Sequence, residues 1–385
     1  MTSIRVTLRA SYPLLSKKTY LATHSMGLPP ESARDALASY FDTWSGSGIG
    51  AWDGPFPSAV DQFCRDIEAL LQAPPQSVVP AMNVTHAMSR VASCFDFRGA
   101  RRRIVLTNLE FTTTYPLWRG CERLGAEVVV VRSRDGMSIE LEDLLSAIDE
   151  RTAVVPIGHA FFRSGALQDL SAIAARAHEV GAFVLADGYQ SAGSVPVDVT
   201  ANQVDFYVGG CHKWLCGGAG AGYLYVNPST TSELLPRFRG WFGLANPFSY
   251  ELDVVDDPKP PPTVSRFMGG TANVPAIHAA REGLKRILEI GVDTIRAHSE
   301  RLTTKLVDGV LERGFALTSP RLFSARNGMV CFDFPGADDL KSRLAEADIV
   351  VDWRPACGFR VSPHFYNDDQ DIERFFSVLD RLRKR

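Results

Sequence analysis

Apolar residues cluster in six short runs, at 103–106, 127–131, 153–157, 183–186, 206–208 and 223–226. Each is short and β-rich, the pattern of a strand buried on both faces. Between several of them the apolar positions recur at helical spacing, as at 141–148 and 170–180. Strands alternating with helices predict βαβ units and a mostly parallel, doubly wound sheet. The last two runs are separated only by a glycine-rich connection and predict an adjacent antiparallel pair. Further upstream, the apolar run 78–81 leads into a helical pattern that opens near Thr85 and His86. After the proline-rich stretch 258–262 the pattern changes: 275–290 and 292–313 read as long helices, and short strands and helices run on to Arg385. The expected organisation is α/β. A large domain spans 21–270, and a smaller α+β domain is built from residues 1–20 together with 271–385.

Composition narrows the function. The chain has 385 residues, 45% of them hydrophobic, enough for a sizeable core. Lys plus Arg total 41 against 44 Asp plus Glu, a net charge of −3 with both signs spread along the chain, which does not suit a nucleic-acid partner. No apolar stretch has the length of a membrane span, and the first residues lack the apolar core of a signal peptide. A soluble, cytoplasmic protein is expected. Seven scattered cysteines without a CxxC pair or a Cys/His cluster predict free thiols and no metal site.

The strongest local signal is GGCHKWLCGGAGAGYLYV at 209–226, where Lys213 follows an apolar strand and precedes GGAGAG. Taken alone, a strand-end lysine is an ordinary surface residue. Twenty-six residues earlier, however, Asp187 ends another apolar strand in FVLADGYQSAG. In a parallel sheet the carboxyl ends of the strands form the ligand crevice, so Asp187, Gln190 and Lys213 are expected to converge there. A buried acid near a buried lysine suits pyridoxal phosphate, which needs a Schiff-base lysine, an acid at its ring nitrogen and a dipolar cradle for its phosphate. The helix opening at Thr85 and His86 offers such a cradle, although N-capping alone accounts for Thr85.

With these residues in place, the chain resembles the class V branch of fold-type I pyridoxal-phosphate enzymes over essentially its whole length. The kynureninases are the most similar group. The resemblance is carried by YLATHSMG at 20–27, NLEFTTTYP at 108–116, PIGHAFFRSG at 156–165, DGYQSAGSVPVD at 187–198, RGWFG at 239–243, FMGGTAN at 267–273 and DWRPACGFRVSP at 352–363. It implies that Lys213 forms the Schiff base, Asp187 pairs with the pyridine nitrogen, Gln190 faces the phenolic oxygen and Phe111 stacks on the ring. Thr85 and His86 would fall on the phosphate-binding turn, with His212 also within reach of the phosphate. Thr271 would reach the phosphate of a neighbouring subunit, which implies a homodimer. Arg360 would take the substrate carboxylate, with Trp241, Phe242, His24 and Ser25 lining the substrate side.

Four departures from the kynureninase pattern shape the expected reaction. His212 replaces a Tyr, Thr114 an Asp, His24 an Asn and Phe161 another Asn. The desulfurases' nucleophilic Cys rides on a mobile loop well before the carboxylate-binding Arg, whereas Cys357 lies only three residues before Arg360. The leading expectation is a lyase acting at Cβ of an L-amino acid, by C–S β-elimination from a cysteine conjugate. Kynureninase itself, a class V aminotransferase and a decarboxylating deaminase are the alternatives. A cofactor-binding protein without turnover is a further one, disfavoured by the intact Lys213, Asp187 and Arg360.

Overall fold

The computed structural model describes residues 9–250 and 258–384. In chain order the main elements are β1 (Thr19–Tyr20), α1 (Ser32–Ser47), α2 (Pro55–Leu71), β2 (Val78–Ala81), α3 (Val84–Ala92), β3 (Arg103–Thr107), α4 (Thr114–Gly120) and β4 (Glu127–Val131). There follow α5 (Leu141–Ala147), β5 (Thr152–Gly158), α6 (Leu170–Glu179), β6 (Phe183–Asp187), β7 (Phe206–Gly210) and β8 (Gly222–Val226). The remainder comprises α7 (Val274–Ile290), α8 (Val292–Glu312), β9 (Ala316–Leu317), β10 (Val330–Asp333), α9 (Ala337–Glu346), β11 (Ile349–Val350), β12 (Asp352–Arg354), β13 (Gly358–Val361) and α10 (Asp369–Arg383).

Seven strands form the central sheet in the order β2-β8-β7-β6-β5-β3-β4, and of these only β8 runs against the rest. This is the mostly parallel sheet that the apolar runs predict, with the expected antiparallel β7-β8 pair and a second antiparallel pairing of β8 with β2. Alternation along each strand sends side chains into two separate cores. Val105, Val155, Ile157, Val184 and Ala186 pack on one face, while Ile104, Leu106, Val154, Leu185 and Val208 pack on the other. α2 covers the first face with Phe56, Val60, Phe63 and Ile67 at helical spacing, and α3 covers the second with Val84, Ala87, Met88 and Val91.

Helix starts follow capping chemistry. Asn83 and Asp169 each accept a backbone N–H with the side chain at the N-caps of α3 and α6. Asp368 and Asp371 form a reciprocal capping box at α10. The C-terminal segment builds a four-stranded antiparallel sheet, β12-β13-β10-β9. Its own core contains Leu302, Leu306, Phe332, Phe359, Phe375 and Leu379. β1 pairs in parallel with β11, and the next residue, Leu21, is buried in that same C-terminal core.

One difference from the sequence pattern bears on the site. Four strands continue past the end of their apolar run, adding Thr107 to β3, Gly158 to β5, Asp187 to β6 and Gly209 with Gly210 to β7. The backbone ladder carries on where the hydrophobic pattern stops; of these residues Gly158 and Asp187 line a cavity, while Gly209 and Gly210 leave room for the rings of Tyr223 and Tyr189.

Candidate active site

The carboxyl ends of β3, β5, β6 and β7 open into a cavity of about 240 Å³, placed as expected for a doubly wound sheet. Lys213 stands three residues beyond the end of β7, in the connection that folds back into β8. Glycines make this connection possible. A Cβ on Gly217 would lie 2.7 Å from the Cα of Ala280 on α7, and one on Gly27 would lie 2.0 Å from the Lys213 carbonyl oxygen. The N-terminal segment is thus pressed directly on the lysine, and the Gly27 N–H donates to the His212 carbonyl at 2.8 Å.

The Lys213 amine lies between two rings, 5.2 Å from the Phe111 centroid and 4.4 Å from that of Tyr189. Burial pulls its pKa down to about 8, with Asp187 opposing and Arg360 adding to the fall. The amine is therefore partly neutral, and nucleophilic, near neutral pH. Asp187 accepts the Tyr189 N–H at 2.9 Å. Burial pushes its carboxyl up, while that hydrogen bond and the Lys213 charge pull it back. The Tyr189 hydroxyl meets His212 Nδ1 at 2.5 Å. Burial and the neighbouring Lys213 lower the His212 pKa to about 4, so this imidazole is neutral.

Gln190 is fixed at both ends of its amide: the oxygen accepts from the Trp214 indole at 2.9 Å, and the nitrogen donates to the His24 carbonyl at 3.1 Å. A second amide hydrogen is left for a ligand. At the opposite wall, Asn83, Val84 and Thr85 bring the start of α3 to the cavity, with the Thr85 and Thr113 hydroxyls 2.7 Å apart. His86 is exposed and outside the lining, and its backbone N–H is taken by Asn83 at 2.9 Å.

Arg360 is not part of the cavity wall in this conformation. It is 5% exposed, and its guanidinium donates to the Phe162 carbonyl at 2.8 Å, to the Ser25 hydroxyl at 3.3 Å and to Asp352. Arg360 and Asp352 are directly opposite on β13 and β12. Asp352 also accepts from Arg354 at 3.2 Å and lies 3.6 Å from Lys341. Burial works against ionisation of this carboxyl, but the His24 and Arg360 side chains outweigh it and hold Asp352 well below the usual carboxylate range. His24 is fully buried with Nδ1 2.7 Å from the Ser362 hydroxyl, and burial followed by the Arg360 charge lowers its pKa to about 3.

Trp241 and Phe242 pack with their rings tilted, centroids 4.0 Å apart, and join Phe248 and Tyr250 in a surface aromatic cluster outside the lining of the Lys213 cavity. Thr271 is exposed just before α7. The chain therefore gathers Lys213, Asp187, Gln190, Phe111, Thr85 and His212, sets His24, Ser25 and Arg360 behind them, and leaves Thr271, Trp241 and Phe242 apart. Three residues escape the sequence reading: Glu110 and Tyr189, which line the cavity, and Asp352, which holds Arg360. Each sits within a matched motif, NLEFTTTYP, DGYQ and DWRP, and motif context was the signal that marked them.

The donor set fits pyridoxal phosphate. The cavity offers an amine, Lys213 after β7, a carboxyl, Asp187, at the neighbouring end of β6, and a second carboxyl, Glu110, in the turn after β3. Phe111 provides an aromatic wall, and the first turn of α3 is placed where it could take a phosphate. Among the described residues, no group of three or more His, Cys, Asp or Glu is placed to hold a metal ion, and no helix is long and apolar enough to cross a membrane.

Comparison with known proteins identifies the family. The class V aminotransferase family model matches residues 19–375. An uncharacterized aminotransferase, YcbU, of Bacillus subtilis (strain 168) is 28% identical, covering 94% of each chain. A kynureninase of Bacillus thuringiensis subsp. konkukian is 25% identical, covering 95% of this chain and 88% of the relative. Among solved structures, the apo cysteine desulfurase from Thermococcus onnurineus NA1 superposes with a TM-score of 0.86 at 22% identity, over 97% of this chain and 96% of that one. A match across almost the whole sheet and C-terminal unit leaves no room for a chance domain, and the chain belongs to the class V aminotransferases, a family of pyridoxal-phosphate-dependent enzymes.

Proposed function

We propose that this enzyme is a lyase acting at Cβ of an L-amino acid, releasing a thiol from a cysteine conjugate by C–S β-elimination. The observation that carries the reading is the set of reactive groups at the cavity. Lys213 is present as a partly neutral amine, and none of the seven cysteines lines the wall. Transfer of sulfur to the protein needs an accessible thiolate. Cys357, the cysteine nearest Arg360 in the chain, is buried, and burial pushes its thiol up. In this reading the sulfur leaves as free thiol.

Bound in this site, pyridoxal phosphate supplies an electron-withdrawing ring that accepts the pair left when a bond to Cα breaks. The chain's own groups do the rest. Asp187 holds a proton on the ring nitrogen, Gln190 donates to the phenolic oxygen, and Phe111 covers one face. Thr85 and His212 serve the phosphate. Lys213 takes the proton from Cα and is the acid that returns one. Arg360 receives the substrate carboxylate, exchanging part of its hold on Asp352 for the new anion. His24 and Ser25 flank it. A second copy of the chain completes the site, bringing Thr271 to the phosphate and Trp241 with Phe242 to the substrate. The exposed aromatic cluster, with Leu37, Phe41 and Trp44 on α1, supplies apolar surface for such a homodimer. A cytoplasmic location belongs to the same reading.

Kynurenine hydrolysis between Cβ and Cγ is the second reading, supported by the aromatic wall of Phe111, Phe161 and Phe162, which suits an aryl side chain. Incubation of reconstituted enzyme with S-alkyl and S-aryl cysteines decides between them. Elimination consumes one water and yields thiol, pyruvate and ammonium in equal amounts. Anthranilate and alanine from kynurenine would favour the second reading. Amino-group transfer to an added 2-oxo acid, or release of carbon dioxide, without thiol would replace both with an aminotransferase or a decarboxylating deaminase.

A further inference from the structure

One buried acid of the cavity wall has no part in the chemistry above. Glu110 lies in the turn after β3, immediately before Phe111, and is 3% exposed while lining the same cavity as Lys213 and Asp187. Its Oε1 is paired with the Thr107 hydroxyl at 2.8 Å, and its Oε2 accepts the Gly158 N–H at 2.7 Å. Thr107 ends β3 and Gly158 ends β5, so this carboxyl ties two neighbouring strands at the point where the sheet opens. Gly158 is in turn the register partner of Asp187 on β6. The two carboxyls thus flank the end of β5 in one crevice.

We propose that Glu110 is a positioning residue of the cofactor site: as a neutral acid it locks the ends of β3 and β5 beneath the stacking Phe111, and on ionising it adds a second negative charge beside Asp187 that strengthens the hold on a protonated ring nitrogen. The inference rests on the pyridoxal-phosphate assignment. The groups facing Glu110 supply no close cation. They are Asp187 on β6 and the Tyr115 phenol on α4, with Lys213 lining the same cavity. Burial pushes the Glu110 carboxyl up to about 8, Asp187 adds to the push, and Thr107 and Gly158 oppose it. The Thr107 hydroxyl suits both states, since it donates to a carboxylate and accepts from an acid, so the proton can leave without separating the pair.

The test begins with cofactor-free protein. In difference infrared spectra between pH 6 and pH 10, a protonated carboxyl band should disappear with a midpoint near pH 8 in the wild type and be missing from Glu110→Gln. Thr107→Val, which removes a donor to the carboxylate, should move the midpoint upward and serves if Glu110→Gln does not fold. The second arm measures the dissociation constant for pyridoxal phosphate. Wild type and Glu110→Gln should agree within about twofold at pH 7 and differ by about tenfold at pH 9.5, the wild type binding more tightly. Absence of the titrating band, or an equal ratio of the two constants at both pH values, overturns the proposal. Failure of both proteins to bind the cofactor would instead sink the cofactor assignment and leave the carboxyl titration intact.

Discussion

Replacing Lys213 by Met should stabilise the cofactor-free protein at pH 7. The lysine is held in a site that disfavours its charge: its ordinary pKa of 10.5 falls to about 8, chiefly through burial. At ~1.4 kcal/mol per pH unit, that gap amounts to about 3 kcal/mol. The sign follows from linkage. Below pH 8 the lysine is charged in both folded and unfolded chains, and the folded state bears the full cost of the buried ammonium. Between pH 8 and 10.5 only the unfolded chain keeps the proton, so this contribution to stability rises with pH and the cost is gone above 10.5. Met keeps the length of the stem without the charge, but it also deprives Asp187 of its cation, which leaves an expected gain of about 1–3 kcal/mol at pH 7. Urea midpoints of the two proteins at pH 7 and pH 10.5 measure it. The wild-type trend alone is not diagnostic, because buried thiols such as Cys211, whose pKa burial pushes up to about 12, lower stability over the same range. These groups are common to both proteins and cancel in the difference. An advantage for Met of the same size at both pH values, or a variant less stable than wild type at pH 7, would refute the argument that Lys213 is a destabilised, chemically poised amine.

Other outcomes follow from single contacts. Lys213→Ala reconstituted with pyridoxal phosphate should lack the visible absorption band that borohydride abolishes in the wild type; an unchanged band would remove Lys213 from the site. Arg360→Lys should raise KM for a carboxylate substrate and lower kcat/KM by about a hundredfold, because a single ammonium cannot reproduce a two-pronged fork; steady-state kinetics would report it. Gly27→Ala should weaken cofactor binding and destabilise the fold by about 1–3 kcal/mol, since the new methyl meets the Lys213 carbonyl. Asp205→Ala should cost about 3 kcal/mol or more, read from a urea midpoint, because the buried carboxylate accepts the Val184 N–H at 2.8 Å and a His178 ring nitrogen at 3.0 Å. Asp205 raises the His178 pKa by hydrogen bonding, so that pair stabilises below about pH 6.5 and fades as pH rises through the raised value; the variant's stability should lose this dependence.

The sequence by itself determined the central sheet, because β3 and β5 to β8 are buried on both faces and a continuous apolar run records that directly, the half-buried edge strand β4 carrying the same kind of run. It also determined the lysine, the acid and the glycine-rich connection, whose chemistry is confined to a few consecutive residues. α2 was legible in principle, since Phe56, Val60, Phe63 and Ile67 share one face. α1 was not, because only Ala33 on it is buried and Leu37, Phe41 and Trp44 stay exposed. Tertiary structure alone decided everything that depends on residues distant in the chain. Gly27 closes on Lys213, Gln190 is held by His24 and Trp214, and Arg360 is neutralised by Asp352 instead of waiting free in the cavity. Glu110 looks like a solvated loop acid in the sequence, and only the meeting of the β3 and β5 ends shows it buried against Gly158. Periodicity records which face of an element is dry; it carries no information on which polar side chains the fold will bring within hydrogen-bonding distance, and in this enzyme those contacts make the site.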